Sequence, residues 1–377
     1  MTETGTVALQ LSNDYLQQDV YRSLTAELER RGVNQWVFMA ARKQAVTDRC
    51  PKDAGRIRYA APNILRPYHR ILFRRKSELM YSTLERTYDL SMVGVVHAHF
   101  LYTDGRVARL IHQRRGIPFI VSVRPHTDIN SFMRYRPDLL PWACENLLRA
   151  HAVICLTPGS RDLLLAGLPS DVRRRVRFNI HVIPHGLAGE WHEAPVAPLE
   201  SDDLKILSVG DMTPNKNVEG MVRAIDRLRA QGRDIELTLV GGGVGRPPRA
   251  SRPWIRWIPH VSDRITLREI VRQHHIFMMP SFSETFGVAY VESLSQGLPA
   301  IHARGQGVAG LFTEGVTSES VDPHDPKDMA NAIEHVAARR LQVFSQCISE
   351  TRRFRWPIVA ERIHELYRSA GLREAVS

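Results

Sequence analysis

The sequence predicts an α/β protein made of two doubly wound domains, each with a mostly parallel sheet covered on both faces. Three observations lead there. At 377 residues the chain is longer than one hydrophobic core usually supports. Short, continuous apolar runs rich in β-branched residues alternate with helical patterns, as in parallel sheets. The alternation also restarts after LAGEWHEAPVAPLESDD, residues 187 to 203, where prolines and acids replace any periodicity. In the first half the strand candidates are VALQL (7 to 11), QWVFMA (35 to 40), VGVVH (93 to 97), PFIVSV (118 to 123), AVICL (152 to 156) and HVI (181 to 183). Between the first two lies a helix with Val20, Leu24 and Leu28 on one face, ended by Gly32. In the second half they are LKILSV (204 to 209), IELTLV (235 to 240), HIFMMP (275 to 280) and LPAIHA (298 to 303). The helix after the first of these carries Val218, Met221, Val222, Ile225 and Leu228 as one stripe. The expected organisation is a first domain over 1–187, a linker over 188–203, a second domain over 204–355 and a terminal helical segment over 356–377. Ligands of such folds bind beyond the carboxyl ends of the strands, so a cleft between two sheets is the expected site.

Composition narrows the class. Hydrophobic residues at 43% and charged residues at 24% are ordinary for a globular protein, and no segment is apolar enough to span a bilayer. The amino terminus has no basic region followed by an apolar one, and Cys50, Cys144, Cys155 and Cys347 show no metal-ligand spacing. A soluble protein of the reduced cytoplasm is the expectation. The formal charge of +11 favours an anionic partner. RPYHRILFRRK, residues 66 to 76, reads as an amphipathic cationic element able to rest on anionic lipid headgroups, or equally as a solvated helix face. DVRRRVRF, residues 171 to 178, adds to the same field. The aromatic residues among these cations, such as Tyr68 and Phe73, form no recognisable nucleic-acid reader motif, so nucleic acid is not an expected partner.

The segment PSFSETFGVAYVESLSQGLP, residues 280 to 299, carries the chemistry. Its SFSETFG is the loop at the carboxyl end of a strand, and Val288, Val291, Leu294 and Leu298 continue with helical spacing. Amides at the start of that helix, around Thr285, Phe286 and Gly287, have no partner within it and suit a phosphate. Gly287 permits close backbone approach. Each carboxylate can accept two hydrogen bonds from a vicinal diol. Glu284 and Glu292 would therefore grip hydroxyls on either side of a diphosphate, the geometry of a nucleotide sugar.

These residues resemble the retaining family-four glycosyltransferases of GT-B fold, whose donor domain carries PS-x-x-E-x-FG-x-x-x-x-E-(A/S); here it stands as PSFSETFGVAYVES. VGDMTPNKNVEGMVRAIDRL is similar to the family's donor-phosphate segment, VVHAHFLYTDG to its acceptor-domain strand, and FRWPIVAERIHELYRSA to its terminal helix. The resemblance implies an acceptor domain, a donor domain and a terminal helix that crosses back to the first. It implies transfer of a sugar from a nucleoside diphosphate sugar, UDP-sugar first among them, to a hydroxyl with retention, without cofactor or metal. Glu284 would contact the transferred sugar and Glu292 the ribose. Gly210 and the amides of Thr285, Phe286 and Gly287 would meet the diphosphate, and Lys216 would neutralise it as it leaves. In the loop RPHTDIN the candidates beside the sugar are Arg124, His126 and Asp128. His97 and His99 are expected on opposite faces of their strand, one in the core and His99 toward the acceptor, joined there by Asp14 and Tyr15 of the SNDY loop.

Departures from the pattern shape the rest. Asp211 stands where the family has arginine, LSNDYLQQDVY replaces a glycine pair, and HGLA replaces an NG-V-D turn. The SNDY loop is similar to that of some capsule and exopolysaccharide transferases, pointing to a lipid-linked or oligosaccharide acceptor in surface-sugar or secondary glycosylation. GQGVAG (305 to 310) satisfies a dinucleotide fingerprint but lies late in its domain and reads as a loop lining the donor pocket, as does GGGVGR (241 to 246) near the base. A GT-B epimerase or pseudo-glycosyltransferase, and a silent nucleotide-sugar-binding scaffold, are the alternatives.

Overall fold

A computed structural model describes residues 6–193, 197–198, 200–201, 203–242 and 252–373. The chain divides into two compact units: the first holds the described residues up to Leu156, Arg161–Gly186 and those from Trp356 onward, the second Thr157–Ser160 and Leu187–Arg355.

In the first unit seven strands form one parallel sheet: β1 (Val7–Leu11), β2 (Asn34–Phe38), β3 (Ile57–Ala60), β4 (Val93–Ala98), β5 (Phe119–Val123), β6 (Ala152–Cys155) and β7 (Ile180–Val182), in the order β3-β2-β1-β4-β5-β6-β7. Alternation along β1 sends Leu9 and Leu11 into one core and Ala8 into another, as a sheet covered on both faces requires. The second of these cores is closed by Leu24 and Leu28 of the helix Asp19–Arg30 and by Val359, Ile363 and Tyr367 of the last helix, Trp356–Ser369. The terminal helix is thus part of the first unit, fixed by the Arg31–Glu361 ion pair and by the Tyr367 hydroxyl, which accepts from Gln10 Nε2 at 3.0 Å.

The second unit is a six-stranded parallel sheet: β8 (Leu204–Val209), β9 (Ile235–Val240), β10 (Ile255–Ile258), β11 (Ile276–Met279), β12 (Ala300–Ala303) and β13 (Ser318–Val321), in the order β10-β9-β8-β11-β12-β13. Ile206 packs with Met221, Val222, Ile225 and Leu228 of the helix Val218–Ala230 and with Ile333 and Val336 of the helix Pro326–Thr351. Gly189–His192 forms a 3₁₀ turn whose Trp191 is buried, its carbonyl accepting from Gln296 Nε2 at 2.9 Å.

Three local expectations are corrected. The helix that begins at Val288 ends at Ser295, so Leu298, though buried, lies beyond it. Residues 66–76 are not one helix: a 3₁₀ turn, Pro67–Arg70, is followed by the start of a helix, Phe73–Thr87, with Ile71 and Leu72 exposed at the break. His97 and His99 do not face apart, because positions two apart share a side of a strand. Their ring centroids lie 4.1 Å from each other.

Candidate active site

The two sheets each reverse strand order at one point, and loops leaving such a point frame a crevice. In the second unit the reversal lies between β8 and β11, whose following loops carry residues 210–217 and 280–287. They bring Lys216 and Glu284 together: Lys216 Nζ donates to Glu284 Oε2 at 2.5 Å. The side chains are 19% and 14% exposed, so the pair is largely withdrawn from water. Glu284 directly precedes Thr285, Phe286 and Gly287, and Gly287 caps the helix Val288–Ser295 in a left-handed conformation, φ 71°. A Cβ at Gly287 would lie 2.6 Å from the Tyr290 ring, so the position requires glycine for both space and backbone. The first-turn amides of that helix, with its positive dipole end, therefore stand one loop away from an ammonium group.

Neighbouring residues hold the pair in place. Asn215 Nδ2 donates to the Ser283 carbonyl at 2.8 Å and its Oδ1 accepts from Ser283 N at 3.0 Å, which clamps the loop immediately before Glu284. Asn217, 5% exposed, adopts φ 54° and donates to the carbonyls of Pro280 and Pro323, at 3.3 and 2.7 Å. Two further loops at the carboxyl edge are thereby tied to the residue after Lys216. Gln306 of the GQGVAG loop accepts from Glu284 N at 3.2 Å, and a Cβ on Gly307 would sit 3.1 Å from Glu284 Cγ. That loop packs on the candidate acid itself. Asn215, Asn217, Tyr290 and Gln306 had not been singled out in the sequence: single asparagines in a turn carry no pattern, and only the fold shows which carbonyls they reach.

Gly210 ends β8 with φ 152°, 3.3 Å from Lys216 Cε by its would-be Cβ. A Cβ on Gly241 would clash with the Gly210 carbonyl at 1.9 Å, so the ends of β8 and β9 approach as only glycine allows. Asp211 is exposed. Of GGGVGR, residues 243–246 lie outside the described residues. Glu292 stands in the second turn of its helix, and burial raises its carboxyl to about 7, with the Arg264 charge acting the other way.

In the first unit the expected residues separate. Tyr15 is core: it is 1% exposed, and its hydroxyl lies 2.6 Å from Thr25 Oγ1, so it is not positioned for an acceptor. His99, 2% exposed, bonds Gln10 Oε1 at 2.9 Å, and His97 bonds Tyr367 Oη and Ser122 Oγ at 2.7 and 2.8 Å. Desolvation keeps both imidazoles well below their usual range, hence neutral. Neither histidine reaches the surface. Arg124 is buried and donates to the His99 carbonyl at 3.3 Å, with His185 Nε2 3.0 Å from its Nη1. Asp128 is fully buried and accepts from the backbone of Arg124 and Leu101, at 2.8 and 3.2 Å. His126 alone of the three is exposed. Asp14, partly buried, lines a cavity of about 730 Å³ beside the reversal between β1 and β4, together with Lys76, Tyr102, Asp104 and Asp128.

Known proteins match this architecture and these segments. The family described as Glycosyl transferases group 1 matches residues 203–339, and the Glycosyl transferase 4-like domain matches residues 17–186. A D-inositol 3-phosphate glycosyltransferase of Nocardioides sp. is 24% identical over 322 residues, covering 75% of this chain and 69% of that protein. The alpha-maltose-1-phosphate synthase of Mycolicibacterium smegmatis is 26% identical over 341 residues, 75% and 82% of the two chains. Among solved structures, sucrose-phosphate synthase from Thermosynechococcus elongatus superposes with a TM-score of 0.75 at 19% identity, over 97% of this chain and 98% of the other. Anabaena Alr3699/HepE in complex with UDP and glucose superposes at 0.67 with 14% identity, over 97% and 100%. The chain belongs to the group 1 glycosyl transferases and is a glycosyltransferase of GT-B type.

Proposed function

We propose that this glycosyltransferase takes a nucleoside diphosphate sugar, a UDP-sugar in the first instance, and transfers its sugar to a hydroxyl acceptor with retention at the anomeric carbon. The observation that carries the proposal is the Lys216–Glu284 pair beside the start of the helix Val288–Ser295. In this assignment Gly210 and the amides of Thr285, Phe286 and Gly287 approach the diphosphate, Lys216 neutralises it, Glu284 accepts from sugar hydroxyls and Glu292 from the ribose. The bond between the anomeric carbon and the diphosphate oxygen breaks, the acceptor oxygen bonds that carbon on the same face, and the acceptor proton passes to the departing oxygen. No protein carboxylate need act as nucleophile or base. The site contributes positioning and stabilisation of the developing negative charge. Lys216 and helix amides supply the compensation that a divalent ion gives elsewhere, so no metal and no cofactor is assigned. The UDP complexes of the Anabaena neighbour favour uridine as the base.

In the first unit, Arg124, His126 and Asp14 are the residues assigned to substrate, with Asp128 bracing their loop through its backbone contacts. The acceptor is assigned to the lipid-linked or oligosaccharide class, and residues 66–76 to contact with an anionic membrane surface. Exposed Tyr68, Ile71 and Leu72 among arginines support the latter, at 54%, 77% and 39% exposure. Four free cysteines fit the reducing cytoplasm as the compartment. Among the described residues no helix is long and apolar enough to cross a membrane. Incubation with UDP-glucose labelled in the sugar, with and without chelator, tests the function. Label recovered in a glycoside of unchanged anomeric configuration, insensitive to chelation, is expected; label recovered only as an epimerised donor would replace this proposal with an epimerase.

A further inference from the structure

At the amino edge of the second sheet, opposite the loops that carry Lys216 and Glu284, the residues leading into β11 and β12 meet the helix Pro326–Thr351 around a pocket. It is a depression of about 380 Å³ open to solvent, with an inner space of about 20 Å³, enough for roughly one or two water-sized groups.

One wall is cationic and rich in donors. His275, 5% exposed, accepts from the backbone N–H of Lys205 through Nδ1 at 2.9 Å, so its neutral ring carries the proton on Nε2. Burial, joined by the Arg340 and Lys205 charges, lowers the imidazole to about 4 against the opposing pull of Asp203, so the ring is neutral at neutral pH. Its Nε2–H is buried and has no partner. Arg340 repeats the pattern: its terminal amines donate to the carbonyls of Ala337 and Ser201, at 2.9 and 3.0 Å, while its buried Nε–H has no partner. Among the described residues no acid pairs with Arg340, whereas Arg272, the other arginine of this wall, is matched by Glu269 at 2.9 Å.

The other wall is apolar. Leu298 is buried and Leu341 exposed, and Phe344 is seated on the bare backbone of Gly297, where a Cβ would stand 2.1 Å from its ring. Buried donors are nearly always satisfied, and two on one wall call for a ligand that accepts and does not donate. A carboxylate offers one oxygen to each. The guanidinium without an acid favours a carboxylate over water. Leu298 and Phe344 favour one carried on a hydrocarbon group, because an inorganic anion would lose hydration against them and gain no partner.

We infer that this pocket binds a small apolar monocarboxylate, its carboxylate held by His275 Nε2 and Arg340 Nε and its hydrocarbon group laid against Leu298, Leu341 and Phe344. The site is separate from the one assigned to the nucleotide sugar and stands whether or not that assignment does. It joins the starts of β11 and β12 to the long helix, and occupancy is read as added stability.

Thermal unfolding of the full chain tests it with butyrate as the probe, against butyramide, a neutral counterpart that also donates, and against chloride at matched ionic strength. Butyrate should raise the Tm with a saturable dependence on concentration, and butyramide and chloride should not. His275→Asn keeps an acceptor for the Lys205 amide and loses the Nε2 donor; Arg340→Met loses both the charge and the Nε donor. Each should weaken the apparent affinity for butyrate by at least about ten-fold, with the response to UDP as in the wild type. Equal responses to butyrate and butyramide, a butyrate response no larger than that to chloride, or one that survives either substitution overturns the inference, and water then satisfies the two donors. A wild type that answers butyrate but not UDP upholds this site and fails the donor assignment instead.

Discussion

Glu284 and Glu292 are both acids of one short segment, yet their surroundings give them different behaviour. Glu284 is held by Lys216 and by its own loop, at 14% exposure, where it can exchange the ammonium for sugar hydroxyls. Glu284→Gln should lower kcat by about 10²-fold and leave UDP affinity within about two-fold, since UDP carries no transferred sugar. Steady-state rates beside calorimetric UDP titrations separate the two effects. Glu292 has a folded-state carboxyl raised to about 7 by burial, against an ordinary value of 4.5. Between those values the folded chain keeps a proton that the unfolded chain has released, so stability falls as pH rises through this window. Glu292→Gln removes that loss. Its melting temperature should match the wild type near pH 4 and exceed it at pH 8, by at most about 3 kcal/mol of stability. A Glu292→Gln protein less stable than wild type at pH 8 would show the carboxylate to be favourably held.

At the scale of elements, what the sequence showed and what it hid follow from burial. Nine of the ten legible strands run through sheet interiors, and β1, β5 and β6 are buried at every position; the tenth, β7, is an edge strand. The three that were missed, β3, β10 and β13, are all edge strands. Polar residues such as Arg58, Arg256 and Glu319 interrupt them, because one side of an edge faces no neighbouring strand. The candidate site was legible to the same extent: Lys216, Glu284 and Gly287 stand on strand-end loops with pattern around them, whereas the asparagines that hold those loops do not. The period-two geometry of strands also placed His97 and His99 side by side, which a correct use of the alternation would have foreseen. Asn217 gives the sharpest test of the loop scaffold. Asn217→Gly keeps the left-handed backbone and loses two hydrogen bonds; Asn217→Ala loses both and adds strain. The alanine variant should be less stable than the glycine variant by about 1 kcal/mol, read from denaturant midpoints.

Across the whole molecule, each unit builds a parallel sheet whose strand order reverses once, and candidate residues of each lie beside that reversal. The second unit gathers a cation, an acid and a helix start within one set of loops; the first gathers cations and buried acids around a cavity. The last helix returns its Val359, Ile363 and Tyr367 to the first unit, so the chain's end is part of that unit's core rather than an appendage. The central claim is that the loops after β8 and β11 hold a nucleoside diphosphate through Lys216. Calorimetric titration of UDP, GDP and ADP into the wild type and into Lys216→Ala tests it most directly: UDP should bind the wild type and bind the variant at least about ten-fold more weakly. Failure of all three to bind the wild type, or equal binding of UDP to both proteins, would contradict it.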